Sequence, residues 1–274
     1  FVMPVSGNKS PVLMAMFECD YAEAQKLLPG TELFAVRLLN GKAVFIVTVV
    51  NYIDTTIGKY VEYSLAIACT RGKKSAPRLL PALFQKAYHT GQFVLDLPVS
   101  SEISVKGGKG IWGMPKHQAS LDFIVTDKQV SAQYEKDGQF AFRIEMEKPT
   151  QLGMKVNMGA TNYSHFRNLL IASYIYFESK AKINLFSKAK ANLYIGDHPK
   201  VAHLRKLKIN GKPLATLFME GATGVLDDYF ESWFITHTAK EDQTTEGLES
   251  VFHLTNSEEW LAAPSITDYV KYKI

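Results

Sequence analysis

Cysteine is nearly absent. Cys19 and Cys69 are the only two in 274 residues, and neither belongs to a C-x-x-C pair. Two isolated cysteines rule out a disulfide scaffold and fit reduced, buried thiols in a cytoplasmic protein. Long apolar runs are missing too. The longest largely apolar stretch, Ala43–Val50, falls far short of the ~20 residues a spanning helix needs, so no membrane partner is expected. Charge of one sign is scarcely in surplus: 31 Lys and Arg stand against 27 Asp and Glu, a net +4. The densest basic patch, T-R-G-K-K-S-A-P-R with Arg71, Lys73, Lys74 and Arg78, reads as a solvated loop. Nucleic acid calls for a concentrated basic face and is not expected as a partner. A phosphate cradle is lacking, because Gly72-Lys73 has no Ser or Thr directly after it and no earlier glycine to shape the loop. The seven histidines are scattered, and His198 and His203 are five apart, the wrong spacing for two ligands on one helical face. No metal site is expected.

What is present is strand after strand. P-V-L-M-A-M-F-E, E-L-F-A-V-R-L-L, A-V-F-I-V-T-V-V-N-Y and Y-V-E-Y-S-L-A-I-A follow one another between turn residues. Asn40-Gly41 predicts a hairpin between the second and third, and Lys136-Asp137-Gly138 another between Q-V-S-A-Q-Y-E and Q-F-A-F-R-I-E-M-E. The alternating stretch S-K-A-K-I-N-L-F-S-K-A-K-A-N-L-Y-I reads as a half-buried strand or hairpin. Three helices are expected. D-Y-A-E-A-Q-K-L-L-P-G is capped by Asp20 with Glu23 three residues on, and L-P-A-L-F-Q-K-A-Y-H-T-G closes on Gly91. The third, G-D-H-P-K-V-A-H-L-R-K-L-K-I-N-G, is capped by Asp197 or His198 and has Val201, Leu204 and Leu207 or Ile209 facing inward. The pattern is α+β and mainly antiparallel β: a partly closed barrel, or a sandwich, with a few flanking helices. Residues 1–235 read as one domain. Residues 236–274 read as a polar linker and a C-terminal extension packing on or near it.

One lysine stands apart. In G-K-G-I-W-G-M-P-K-H-Q-A, Lys116 follows Pro115 and is flanked by Trp112, Met114 and Ala119. An amine attacks a ketone only when unprotonated, and a free lysine, with a pKa of about 10.4, is almost wholly ammonium at neutral pH. Full burial in apolar surroundings lowers that value by roughly 3–5, and a neighbouring cation works the same way. Pro115 stiffens the backbone, while Gly110 and Gly113 allow close packing or a sharp turn. Such a chain holds a lysine rigid in an apolar wall. The same letters also fit a strand-edge lysine that extends its ammonium into water.

The segment L-P-V-S-S-E-I-S-V-K-G-G-K-G-I-W-G-M-P-K-H-Q-A, with its W-G-x-P-K core, resembles the active-site segment of acetoacetate decarboxylase-like proteins. N-Y-I-D-T-T-I-G-K-Y-V-E-Y-S-L-A-I-A is similar to that family's earlier strand pair, and the first and last of the three expected helices resemble family helices in the same order. The resemblance implies a barrel or cone fold, a Schiff-base lysine at Lys116 and an acidic partner at Glu62. It also implies a small keto acid as substrate, no metal or organic cofactor, and a homo-oligomer. Trp112, Met114 and His117 are the expected substrate-binding neighbours. Three positions depart from the family pattern. His117 stands where a second lysine is usual, and the gapless match puts Ser10, next to Lys9, at an arginine and Val47 at a second glutamate. The leading expectation is decarboxylation of a β-keto acid such as acetoacetate through an iminium and enamine. The alternatives are an aldolase, dehydratase or hydratase acting on a larger keto acid without loss of carbon dioxide, and a non-catalytic barrel using Lys116 as a counter-charge. Tyr52 and Asp54 read as strand and turn residues.

Overall fold

Alternation of side chains across strands shapes the molecule. The computed structural model describes residues 3–78, 80–235, 261–264 and 268–274. The first strands are β1 (Val5–Cys19), β2 (Leu33–Ala35), β3 (Ala43–Tyr52), β4 (Asp54–Thr55), β5 (Tyr60–Arg71), β6 (Thr90–Val99) and β7 (Lys116–Gln118). Then come β8 (Ser120–Leu121), β9 (Ile124–Val125), β10 (Gln129–Lys136), β11 (Gln139–Glu147), β12 (Met154–Phe166), β13 (Leu169–Leu185), β14 (Ala191–Ile195) and β15 (Pro213–Phe234). Seven of them roll into a barrel in the order β5-β3-β1-β15-β13-β12-β6, which closes where β5 pairs with β6. Neighbours in the barrel are antiparallel except β12 and β6, which run parallel. A second, five-stranded antiparallel sheet is built from β8 to β11 and β14. Helices are short: α1 (Tyr21–Lys26), α2 (Leu80–Leu83), α3 (Glu102–Trp112) and α4 (Pro199–Ala202). The fold is α+β and mainly antiparallel.

The main hydrophobic core lies outside the barrel, not within it. On β3, Phe45, Val47 and Val49 point outward, and on β5 Val61, Tyr63, Leu65 and Ile67 do the same. They meet Ala132, Tyr134, Phe142 and Ile144 of the second sheet, with Tyr63 edge-on to Phe142 at 5.8 Å between ring centroids. The alternate residues, Thr48, Val50 and Tyr52 on β3 and Tyr60, Glu62 and Ser64 on β5, face the barrel interior. A slip of one residue in either strand would exchange the two sets, so the apolar outer face fixes which side chains line the interior.

Local signals account for several ends. Asp20 caps α1 by accepting from the Glu23 N–H at 3.1 Å. Asp137 and Gly138, at φ 53° and 73°, turn β10 into β11, with Lys136 opposite Gln139. His198 caps α4 by accepting from the Lys200 N–H at Nδ1, and Val201, Leu204, Leu207 and Ile209 are buried. Elsewhere the structure differs from expectation. Gly41 does sit in a turn at φ 84°, but β2 pairs with β5 and not with β3, so no hairpin forms there. The helix expected to close on Gly91 stops at Leu83, and α4 runs only to Ala202 before tightening into a 3₁₀ turn at His203–Leu207. The lysine-rich stretch crosses between sheets: β13 belongs to the barrel and β14 to the second sheet.

Both cysteines are buried and free, and burial pushes the Cys19 thiol up to about 12. Near the C-terminus, Tyr272 stacks on Phe140 at 5.0 Å and the Tyr269 hydroxyl donates to Glu145 at 2.7 Å. The polar linker expected after Phe234 falls mostly on residues 236–260, outside the described residues. Among the described residues no helix is long and apolar enough to cross a membrane.

Candidate active site

Lys116 opens β7, which lies parallel to the end of β6 with Lys116 opposite Leu97 and His117 opposite Pro98. The link between these strands is α3, whose first residue, Glu102, pairs with Lys106 at 2.7 Å. Gly113 ends α3 at φ 58°, a conformation glycine adopts without strain. A Cβ there would stand 2.7 Å from Ile171 Cδ1 and 2.8 Å from Phe166 Cβ. Met114 then returns its N–H to the Gly108 carbonyl at 3.1 Å, so the chain doubles back and lays Lys116 along the helix.

That helix face is bare for a reason. A Cβ at Gly108 would overlap Lys116 Cδ and come within 2.6 Å of Cε. The lysine stem runs over Gly108 to reach Ser104, one turn earlier. Its amine donates to Ser104 Oγ at 2.9 Å and to Glu62 Oε2 at 2.6 Å. Lys116 is 4% exposed, yet it is not sealed in. Beside the ion pair the barrel interior opens as a cavity of ≈ 130 Å³, measured as the space open to the centre of a water molecule. Lys116, Glu62, Trp112 and Met114 all line it. Trp112 is fixed by its indole N–H, which donates to the Asp227 carbonyl at 2.8 Å, while its own carbonyl accepts from Ser164.

Two tyrosines complete this end of the cavity. Tyr52 and Tyr60 stack at 4.5 Å between ring centroids, and the Lys116 amine lies 5.7 Å from the centre of the Tyr60 ring. Burial, aided by the Glu62 carboxylate, pushes both phenols well above the usual tyrosine range. They remain protonated donors at any working pH. Tyr52 is thus a cavity residue and not only a strand residue, whereas Asp54 is exposed.

His117 goes the other way. Alternation along β7 turns it from the cavity into the outer core, where Nε2 lies 2.8 Å from Asp96 Oδ1 and 3.3 Å from the Tyr134 hydroxyl. It does not line the cavity, which corrects the expectation that it contacts substrate. A lysine at this position would face Asp96, so the missing second lysine takes no cation from beside the amine. We expect His117→Leu to cost about 3 kcal/mol of stability, because the Asp96 carboxylate loses its buried partner. The urea midpoint should drop, while adduct formation by the folded fraction stays within threefold. An unchanged midpoint would contradict this assignment.

The other departures resolve by parity too. Val47 faces the outer core, and its neighbour Thr48 faces the cavity. Ser10 reaches the cavity across a register shift in β1, and Lys9, at φ 50°, is exposed on the other side. Among the described residues that line the cavity, Glu62 and Lys116 are the only charged side chains. Among the described residues no group of His, Cys, Asp or Glu is clustered to hold a metal.

Ser104 and Gly108 were not visible as site residues from composition or period. Their spacing of four in a glycine-rich stretch was the available signal, since it leaves one helix face open. Gly108→Ala tests it. Alanine favours a helix over glycine by up to about 1 kcal/mol, so the fold should persist. The methyl group displaces the lysine stem, and the rate of adduct formation should fall by about 100-fold. A rate within threefold of the parent would show that the stem does not depend on this bare face.

Comparisons with known proteins agree with this architecture. The family model described as acetoacetate decarboxylase matches residues 2–228. A search of curated proteins finds no match. Among solved structures, acetoacetate decarboxylase from Legionella pneumophila subsp. pneumophila str. Philadelphia 1 superimposes with a TM-score of 0.59 at 14% identity, covering 84% of this chain and 87% of that one. An acetoacetate decarboxylase-like enzyme from Sphingomonas wittichii RW1 gives 0.55 at 15% identity, covering 86% and 95%. The enduracididine biosynthesis enzyme MppR, complexed with the condensation product of pyruvate and imidazole 4-carboxaldehyde, gives 0.57 at 12% identity, covering 85% and 90%. At these identities the structural likeness carries the fold alone. The family match spans most of the sequence and includes the strand, helix and lysine that build the cavity wall, so the chain belongs to the acetoacetate decarboxylase family.

Proposed function

We propose that the protein is a cofactor-independent lyase that decarboxylates a β-keto acid through a Schiff base on Lys116. The observation that carries this reading is a buried amine at the wall of a mainly apolar cavity, with a carboxylate 2.6 Å away to exchange protons with it. In the first step Glu62 accepts a proton from the ammonium, and the freed nitrogen lone pair attacks the keto carbon. Returning protons to the carbinolamine oxygen expels water and leaves an iminium. The bond to the carboxylate then breaks, its electron pair moves into the enamine, and neutral carbon dioxide departs. Apolar walls favour that step, because they disfavour charge localised on the carboxylate. Protonation of the enamine carbon and addition of water release the ketone and restore the amine. Ser104 holds the amine end of this relay in place.

Acetoacetate labelled with ¹³C in its carboxyl group tests the reading. Labelled carbon dioxide should form faster than in the enzyme-free control, and borohydride should leave an isopropyl group on the protein. One alternative is supported by the MppR complex, whose bound molecule is a condensation product of pyruvate. If pyruvate with an aldehyde is condensed and no labelled gas appears from β-keto acids, the decarboxylase reading fails in favour of aldol chemistry. Failure of every carbonyl compound to form an adduct would defeat both.

A further inference from the structure

The Lys116–Glu62 pair occupies one stretch of the wall, and the rest of the cavity is largely apolar. Glu62, Val50, Val12 and Met219 stand opposite one another in a single cross-strand row over β5, β3, β1 and β15. At ~4.8 Å per strand, Met219 lies roughly 14 Å around the wall from the carboxylate. Val12, Met219 and Ala222 belong to an apolar cluster against which Val50 and Phe177 also pack, and all five side chains line the cavity. Small residues keep that side open. Ala160, Ser173, Ala222 and Gly224 line it where larger side chains would fill the barrel. The size follows from the same geometry. A single water needs about 10–15 Å³ by the measure used above, so ≈ 130 Å³ holds roughly ten times that.

Charge balance limits what enters. The two charged lining groups already neutralise each other at 2.6 Å. The iminium replaces the ammonium charge for charge, so the reacting carboxylate shares one cation with Glu62 until its negative charge is lost with carbon dioxide. A second anionic group on the substrate would lie against Val12, Met219 and Phe177 with no cation among the described lining residues, and burying an unpaired charge is strongly unfavourable. The polar groups away from the pair are neutral. Gln92 donates to Asn162 at 2.8 Å, and the buried hydroxyls of Thr48 and Ser173 have no hydrogen-bond partner among the described residues.

We infer that the preferred substrates are monoanionic β-keto acids whose remaining body is an uncharged, mainly apolar chain or ring, longer than the methyl group of acetoacetate. The inference rests on the Schiff-base reading above and specifies its substrate class. Ala222 and Ala160 would then set the usable chain length.

The test is kcat/KM across acetoacetate, 3-oxohexanoate and 3-oxooctanoate, with 3-oxoadipate as the control that matches 3-oxohexanoate in length but ends in a second carboxylate. Each added methylene should raise kcat/KM about fourfold until the cavity is full. 3-Oxoadipate should fall below acetoacetate. Ala222→Phe should flatten the rise, and Ala160→Leu serves the same purpose should the first variant fold poorly. The wild-type series decides the matter without either. A series that is flat or falling from acetoacetate, or 3-oxoadipate outperforming 3-oxohexanoate, would overturn the substrate class while leaving the Schiff base intact. Absence of any borohydride-stable adduct across the whole panel would instead remove the reading beneath it.

Discussion

Replacing Lys116 by alanine should abolish turnover, with a loss of about 10⁵-fold or more, the scale reached when a nucleophile is deleted. The stronger form of the experiment is Lys116→Arg. Arginine keeps a positive charge beside Glu62, where the native amine sits 2.6 Å from the carboxylate, but a guanidinium does not lose its proton in a protein. The arginine variant should therefore fold and retain an ion pair while forming no imine. Turnover of a keto acid by either variant, measured as ketone formed, would mean that the nitrogen of residue 116 is not the nucleophile.

Glu62→Gln should separate binding of the carbonyl from the movement of protons. The amide fills the same space, so the cavity keeps its shape. The lysine nucleophile is retained, and borohydride should still trap an adduct. Turnover should drop by about 10²–10⁴-fold, because imine formation and hydrolysis both need a group that takes up and returns a proton. Rapid-quench measurement of adduct against released ketone distinguishes the two stages. If adduct and turnover both survive, Glu62 holds the lysine in place and does no proton transfer. The neighbouring tyrosines do not take over this role, since their phenols stay protonated through the working range.

Much of the outer half of the structure was legible because its signals are local. Asp20 marks a helix start, Asp137-Gly138 marks a hairpin, and the turn residues punctuate the strands. The barrel's long strands β12, β13 and β15 were not separately readable. Their inner faces mix the small or polar residues Ala160, Asn162, Ser173, Ala222 and Gly224 with larger apolar ones, so the period-two contrast fades where the cavity needs space. Helix α3 hid for a related reason. Gly107, Gly108 and Gly110 each argue against a helix by propensity, and what holds it is packing on β6, β7 and β13. Lys116 and Glu62 are 54 residues apart, and their meeting was implied by family resemblance. Periodicity alone does not bring β7 to β5. The direction of His117 was available from alternation once Lys116 was placed inward, as was the outward direction of Val47 beside Thr48.

The proposed chemistry depends on one covalent bond, between Lys116 and the keto carbon. Incubating the protein with acetoacetate, reducing it with borohydride and weighing its proteolytic peptides locates that bond directly. A Schiff base at Lys116 requires an added isopropyl mass on the peptide that carries this residue, absent in the arginine variant and absent without the keto acid. Unmodified Lys116 with full turnover, or the added mass on a different lysine, would contradict it.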